Sequence, residues 1–289
     1  MFEKMTWKRQ IVTQVQLALA ALFVLLPVIW LLRLALDGSI NDNAGVARPS
    51  DAGLLPRQWS LSNLERAWTN PLPATPFIRL LTNSLIVAGS TTLLALFFGV
   101  TAAYAFARYR FPGRKIGLFA TLVLITLPPA GLSAPFFIFL NDLKIRDSLF
   151  SLIVVYSTIA IPFAIWTVRN AIQGVPRELE ESAMLEGAAR LAVFRLITLP
   201  LITPAIAVAG FIAFTLAWSE FALAWVFISG ADRLTLAMAL YAMRGQTGVS
   251  WGTLSALSVL VALPVVVLFY ALGRYVISGL SLGIATSEE

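Results

Sequence analysis

The chain's 289 residues are 58% hydrophobic and only 12% charged, with a mean hydropathy of +0.83. Soluble domains carry roughly 25% charge, so this composition could not cover a water-facing surface, and a polytopic membrane protein follows. The net charge of +6 lies in short segments between apolar runs, as topology signals do, which leaves no case for nucleic acid. There is no cysteine and no histidine, which removes disulfides, thiol nucleophiles, histidine acid–base chemistry and the usual zinc ligands; no catalytic or metal-binding set remains to propose.

Apolar runs recur at about 20 residues, enough to cross a bilayer as a helix. The basic start MFEKMTWKRQ leads into the first, predicted as an uncleaved helix from about Ile11 to Leu36. The others are predicted at about Ile78–Ala107, Ile116–Leu140, Leu149–Val168, Leu201–Ile228 and Thr253–Ile277, six spans in all. Pro128, Pro129 and Pro135 interrupt the third and Pro162 the fourth; interior prolines kink a helix, so the third is expected to be bent or in two pieces. Small residues recur every fourth position at Ala95, Gly99, Ala103 and Ala107, and at Ala205, Ala209, Ala213 and Ala217. Such stripes serve packing within one bundle or a contact between two membrane subunits.

Loop charge sets the orientation. The loop RYRFPGRK (Arg108–Lys115) has four basic residues and no acidic one, which predicts a cytoplasmic position. NDLKIRDS (Asn141–Ser148) is charge-balanced, as an external loop can be. Six spans then put both termini in the cytoplasm and the Pro-, Asn-, Asp- and Ser-rich segment 37–77 outside, together with the loop 230–252. There is no internal repeat and no separate soluble domain, so residues 1–289 read as a single membrane domain.

Between the fourth and fifth spans lies EESAMLEGAARLAVFRLITLP (Glu180–Pro200), too charged for lipid. Pro176 suits the first turn of a helix, and Glu178, Glu180 and Glu181 follow where the helix dipole favours negative charge. Gly187 can end or bend that helix, and a second helix from Ala188 to about Leu196 would present Leu191, Phe194 and Arg195. A solvated loop held by local pairs such as Glu186–Arg190 would leave the apolar Leu191 and Phe194 face unexplained. The segment 173–200 therefore reads as a cytoplasmic elbow with an interface for another protein.

The same segment resembles the EAA loop of ABC-type import permeases, in Glu181-Ser182-Ala183, Gly187 and Ile197-Thr198-Leu199-Pro200, with Ser182 where alanine is usual. TNSLIVA (Thr82–Ala88), AYAFARYRFPGRK (Ala103–Lys115), PFAIWTVRN (Pro162–Asn170), VPRELEESAMLEGA (Val175–Ala188) and WSEF (Trp218–Phe221) extend the likeness in order along most of the chain. They are similar to the smaller membrane subunit of maltose-type carbohydrate importers. The resemblance implies an all-α polytopic permease of the type I importer architecture, in a prokaryotic plasma (inner) membrane. It also implies a second permease subunit forming a heterodimer, a dimeric cytoplasmic ABC ATPase, an extracytoplasmic solute-binding protein, a sugar-like solute and surrounding lipid.

On that likeness Glu181 would pair with a basic group of the ATPase, Ala183 would allow close approach, Gly187 would set the bend, and Leu191 and Phe194 would fill an apolar socket. Ser182, Glu186, Leu199 and Pro200 complete the coupling set. The chain lacks a phosphate-loop signature, so ATP and Mg would be bound by the partner, with no cofactor in this chain and no enzymatic activity of its own. The C-terminus departs from the pattern, finishing with Glu288 and Glu289 where a slightly basic tail is usual. Glu220, a carboxylate toward the external end of the fifth span, is flanked by Trp218 and Trp225, with Phe221 beside it, and has two readings. Either it lines the solute path with Trp218 and Phe221, or it is paired to a neighbouring helix. In YAMRGQTGVSWG (Tyr241–Gly252), Arg244, Gly245, Gln246, Thr247 and Gly248 would meet the binding protein, or else form a plain connection. An ion-coupled secondary transporter is the alternative, disfavoured by the absence of repeats and by how few charges are buried.

Overall fold

A computed structural model describes residues 7–40, 53, 55–72, 75–244 and 250–285. In chain order the helices are α1 (Trp7–Leu36), α2 (Ser62–Thr69), α3 (Phe77–Arg108), α4 (Arg114–Thr126), α5 (Ser133–Asp142), α6 (Leu149–Gly174), α7 (Arg177–Leu185), α8 (Arg190–Val193), α9 (Leu199–Leu201), α10 (Thr203–Ser219), α11 (Ala222–Phe227), α12 (Leu236–Arg244) and α13 (Trp251–Ala285). Among the described residues there is no strand, only isolated bridges at Asp37–Trp59 and Leu72–Thr75. Four helices, α1, α3, α6 and α13, are long and apolar enough to cross a membrane; two bent pairs bring the number to six.

The described chain divides into two compact units, one from residues 1–77 and 240–262, the other from 78–239 and 263–289. In the first, α1 exposes apolar side chains along its length, Phe23 among them, and ends on a buried polar knot. Arg33 pairs with Asp37 at 3.5 Å and donates to the Leu55 carbonyl at 2.9 Å. The Asp37 carboxylate accepts from the Ser39 hydroxyl at 2.6 Å and from the Arg57 amide at 3.0 Å, which folds the segment after α1 back onto the helix end. Burial pushes the Asp37 carboxyl up, but the bonds from Ser39, Arg57 and Gln58 together hold it below the ordinary aspartate value.

The second unit is organised by small residues. Ala95, Ala160 and Ala213 form one layer between α3, α6 and α10. Val100, Ala103, Ala107, Ala164, Val168, Ile172 and Ala209 continue it. A Cβ on Gly99 would lie 2.5 Å from that of Ala164, so α3 and α6 approach to a distance that only glycine permits there. Both small-residue stripes are thus spent largely on packing within the chain, the first of the two readings.

The third span is bent by 103° between α4 and the stretch Pro129–Asp142, as its prolines predicted. The fifth differs from the expected continuous run 201–228. It enters through a 75° bend at Ile202, between the stretch Arg190–Leu201 and α10, and α10 stops at Ser219. The reason is Glu220, whose carboxylate accepts from the amides of Leu223 at 2.9 Å and Ala224 at 3.3 Å and so starts α11 as a separate helix.

Candidate functional site

The chain leaves α6 at Gly174, passes through extended Val175 and Pro176, and enters α7 at Arg177. Pro176 therefore stands just before the first helical position, one residue earlier than expected. The acidic residues Glu178 and Glu180 occupy the first turn of α7, but Glu180 does more than complement the dipole. It is only 5% exposed, and its Oε1 accepts from Arg108 Nε at 3.0 Å and from the Thr198 hydroxyl at 2.8 Å. A second Arg108 nitrogen donates to the Val175 carbonyl at 2.9 Å. Arg108 ends α3 and Thr198 lies in the return segment, so one buried carboxylate ties both to α7. No local spacing in the sequence pairs residues so far apart, and this clasp was not foreseen.

The C-terminus of α7 is a Schellman motif. The Ala188 amide donates to the Ala183 carbonyl at 3.0 Å and the Gly187 amide to the Met184 carbonyl at 3.1 Å, with Gly187 at φ +95°. That left-handed conformation is what glycine supplies at low cost. The second helix differs from the predicted Ala188–Leu196. The α-helical part is Arg190–Val193, which widens into a π-helical turn at Phe194–Thr198 before α9. In place of a Glu186–Arg190 pair, Arg190 lies over the Tyr109 ring at 5.8 Å.

The elbow has two faces. On the inner one, the Phe194 ring packs against Tyr104 at 4.8 Å, and Phe194 and Leu199 rest on the α3–α6–α10 core. The outer one shows Glu181, Ser182, Glu186 and Pro200 exposed and Ala183 half-buried; Leu185 is 90% and Leu191 59% exposed. Between the faces opens a cleft of about 230 Å³, lined by Arg108, Arg177, Glu180, Glu181, Met184 and Arg190 among others. Leu185, Leu191 and Leu196 are thus exposed apolar side chains of the elbow, while Phe194 is engaged within the chain.

Away from the elbow, Tyr156 donates its hydroxyl to Glu220 at 2.6 Å, so the carboxylate is held by α6 and by the amides of α11. Trp218 is buried and stacked on Phe214 at 5.3 Å, while Phe221 is 38% exposed. Arg244 is exposed at the end of α12; Gly245, Gln246, Thr247 and Gly248 lie outside the described residues, as do Glu288 and Glu289. Among the described residues no group of three acidic side chains is placed to hold a metal.

Residues 95–281 match the family model described as binding-protein-dependent transport system inner membrane component. The chain is similar to the inner membrane ABC transporter permease protein YcjP of Escherichia coli, 32% identical over 230 residues, 80% of this chain and 81% of the relative. It is 33% identical over 210 residues to the diacetylchitobiose uptake system permease protein DasC of Streptomyces coelicolor, 73% of this chain and 76% of the relative. Over 263 residues it is 28% identical to the trehalose transport system permease protein SugB of Mycobacterium tuberculosis, 90% of this chain and 92% of the relative. A chain of a bacterial ABC transporter involved in import of the polysaccharide alginate superposes with a TM-score of 0.73 at 21% identity, covering 96% of this chain and 99% of that one. A chain of the methionine transporter MetNI does so at 0.57 and 19%, covering 70% and 95%. At those identities the likeness is one of fold. With its ordered spans, its elbow and the family match over residues 95–281, the chain belongs to the binding-protein-dependent transport system inner membrane component family, as a non-catalytic, multi-pass ABC permease subunit of the inner membrane.

Proposed function

We propose that this permease subunit serves the import of sugars or related polyols, paired with a second permease subunit and driven by a dimeric cytoplasmic ATPase that binds ATP and Mg. The solute class is supported by relatives named for diacetylchitobiose and trehalose uptake. An extracytoplasmic binding protein delivers the solute, and Arg244 belongs to the surface that meets it, together with Gly245, Gln246, Thr247 and Gly248. Both termini lie in the cytoplasm.

The observation that carries the coupling role is the two-faced elbow. Its inner face is clasped to the end of α3 through Arg108 and Glu180, while its outer face presents Glu181, Leu185 and Leu191 to solvent. A partner that grips the outer face moves α7 and α3 as one body, and nucleotide state then biases the membrane helices between two arrangements. Glu181 supplies the charge, Leu185 and Leu191 the apolar knobs, Ser182 and Ala183 the close approach, and Gly187 the bend. Glu220, with its three internal hydrogen bonds, shapes the α10–α11 break beside the solute path; Phe221 is the aromatic residue left to meet a solute there.

Uptake of labelled sugar into proteoliposomes holding the complete transporter tests the reading. Uptake should require internal ATP, persist when ion gradients are collapsed, and fall to background in Glu181→Lys with membrane insertion intact. Uptake driven by an ion gradient without ATP would instead assign the chain to secondary transport.

A further inference from the structure

Beside the turn between α3 and α4 lies an open cavity, of about 700 Å³, whose chemistry the coupling role does not use. Four cationic side chains line it, Arg110 from the turn, Arg114 and Lys115 from the start of α4 and Arg169 from α6, and no acidic residue does. The rest of the wall is glycine and apolar, with Phe111, Ile116 and Leu118. A bias toward basic residues near span ends is an ordinary topology signal, but it does not require that Arg169, from α6, share one cavity with the cations beside α3 and α4. Arg169 Nε is buried and has no hydrogen-bond partner among the described residues. Its guanidinium lies over the Trp166 ring at 5.5 Å, and Trp166 is itself anchored to Thr121 of α4 at 3.1 Å. Among the described residues Arg114 is held by a bond from its Nε to the Phe106 carbonyl at 2.9 Å. Two guanidiniums lining one cavity without a carboxylate repel each other and attract an anion.

The surroundings name the kind of anion. Ile116 is 75% exposed and Phe119, on the same helix, 67% exposed. These side chains start a helix apolar enough to count as half of a bent span. A ligand seated on the cations therefore meets an apolar flank at once, which suits an amphiphile and gives a free inorganic anion nothing. We propose that this cavity holds the phosphate head of an anionic phospholipid, with the guanidiniums of Arg114 and Arg169 on the phosphate oxygens and acyl chains along Ile116 and Phe119. Arg110 and Lys115, both exposed, add long-range attraction. Basic pockets beside membrane helices bind such heads by the same chemistry, and guanidinium suits phosphate through its planar array of donors.

The test uses the full chain in nanodiscs of phosphatidylglycerol and phosphatidylcholine, with retained lipid read by native mass spectrometry. The native chain should keep phosphatidylglycerol in preference to phosphatidylcholine. The Arg114→Gln, Arg169→Gln pair should lower that retention by about thirtyfold, the effect of two interfacial cations. Because those two side chains also make internal contacts, Arg110→Gln with Lys115→Gln is the second variant; neither side chain packs inside, and retention should fall in it too. Unchanged retention in both variants overturns the proposal. Displacement by millimolar inorganic phosphate assigns the cavity to a free anion instead. Loss of the lipid when the ATPase subunit assembles assigns it to a protein contact, and each of these two results also rejects the lipid site.

Discussion

Glu180 shows how much one side chain carries. Its partner Arg108 is buried with it, their side chains 7% and 8% exposed. Taking away one member of such a pair strands a charge and costs about 3–5 kcal/mol, whereas replacing both by apolar groups is often neutral. Glu180→Ala and Arg108→Ala should each lower the melting temperature of the detergent-solubilised chain, and Arg108→Met with Glu180→Leu should restore most of it. A double variant as unstable as the sum of the singles would remove the clasp from the account. Asp147 offers a pH-dependent counterpart. The amides of Ser229 and Gly230 donate to its carboxylate, and Arg233 adds its charge; together they hold its pKa below the ordinary value. A folded-state value below the unfolded one means the loop's stabilisation is intact above about pH 4 and is lost as pH falls through the depressed value. The protection of the Ser229 and Gly230 amides against hydrogen exchange, taken relative to the intrinsic rate at each pH, should therefore fall on acidification below that range, and Asp147→Asn should abolish that change.

At the scale of elements, two glycines set geometry that no other residue reproduces. Gly187 closes α7 in a left-handed conformation with open space where a Cβ would go, so Gly187→Ala meets only backbone strain, about 1–2 kcal/mol. The elbow should then survive with reduced uptake, while Gly187→Pro cannot adopt a positive φ and should uncouple ATP hydrolysis from uptake in the reconstituted transporter. Gly99 is the opposite case, with ordinary helix geometry but no room against Ala164. Overpacking costs about 1–3 kcal/mol, and Gly99→Val should force α3 from α6 and reduce the folded fraction seen on size-exclusion chromatography. Folded protein at the native level would mean that the close approach tolerates a side chain. Glu220 acts between α6 and α11 as a fixed corner, accepting from the Leu223 amide of α11 and bonded to Tyr156 of α6.

For the whole molecule, the absence of native cysteine makes orientation directly measurable. Leu55 is 71% and Leu185 90% exposed. A membrane-impermeant maleimide should label Leu55→Cys in intact cells and Leu185→Cys only after permeabilisation. The reverse pattern would invert the proposed topology and with it the cytoplasmic placing of the elbow.

The spans and the bend of the third helix were legible in the amino-acid order, because lipid imposes a length of apolar residues and proline a missing amide. So was the elbow, since clustered charge cannot enter lipid and a glycine after an acidic helix marks its end. The sequence motifs also pointed to the outer face at Glu181, Gly187 and Leu191. Three things waited for the tertiary structure. Arg108 and Glu180 meet only once α3 and α7 are packed, and nothing in a linear pattern encodes that pairing. Phe194 faces inward to Tyr104, a contact with α3 that forms only once the elbow is packed on the core and that the helical spacing of Leu191 and Phe194 does not reveal. Glu220 breaks the fifth span because the amides of Leu223 and Ala224, three and four residues on, and the Tyr156 hydroxyl of α6 find its carboxylate, a satisfaction of donors that hydropathy, which counts only apolar length, cannot register.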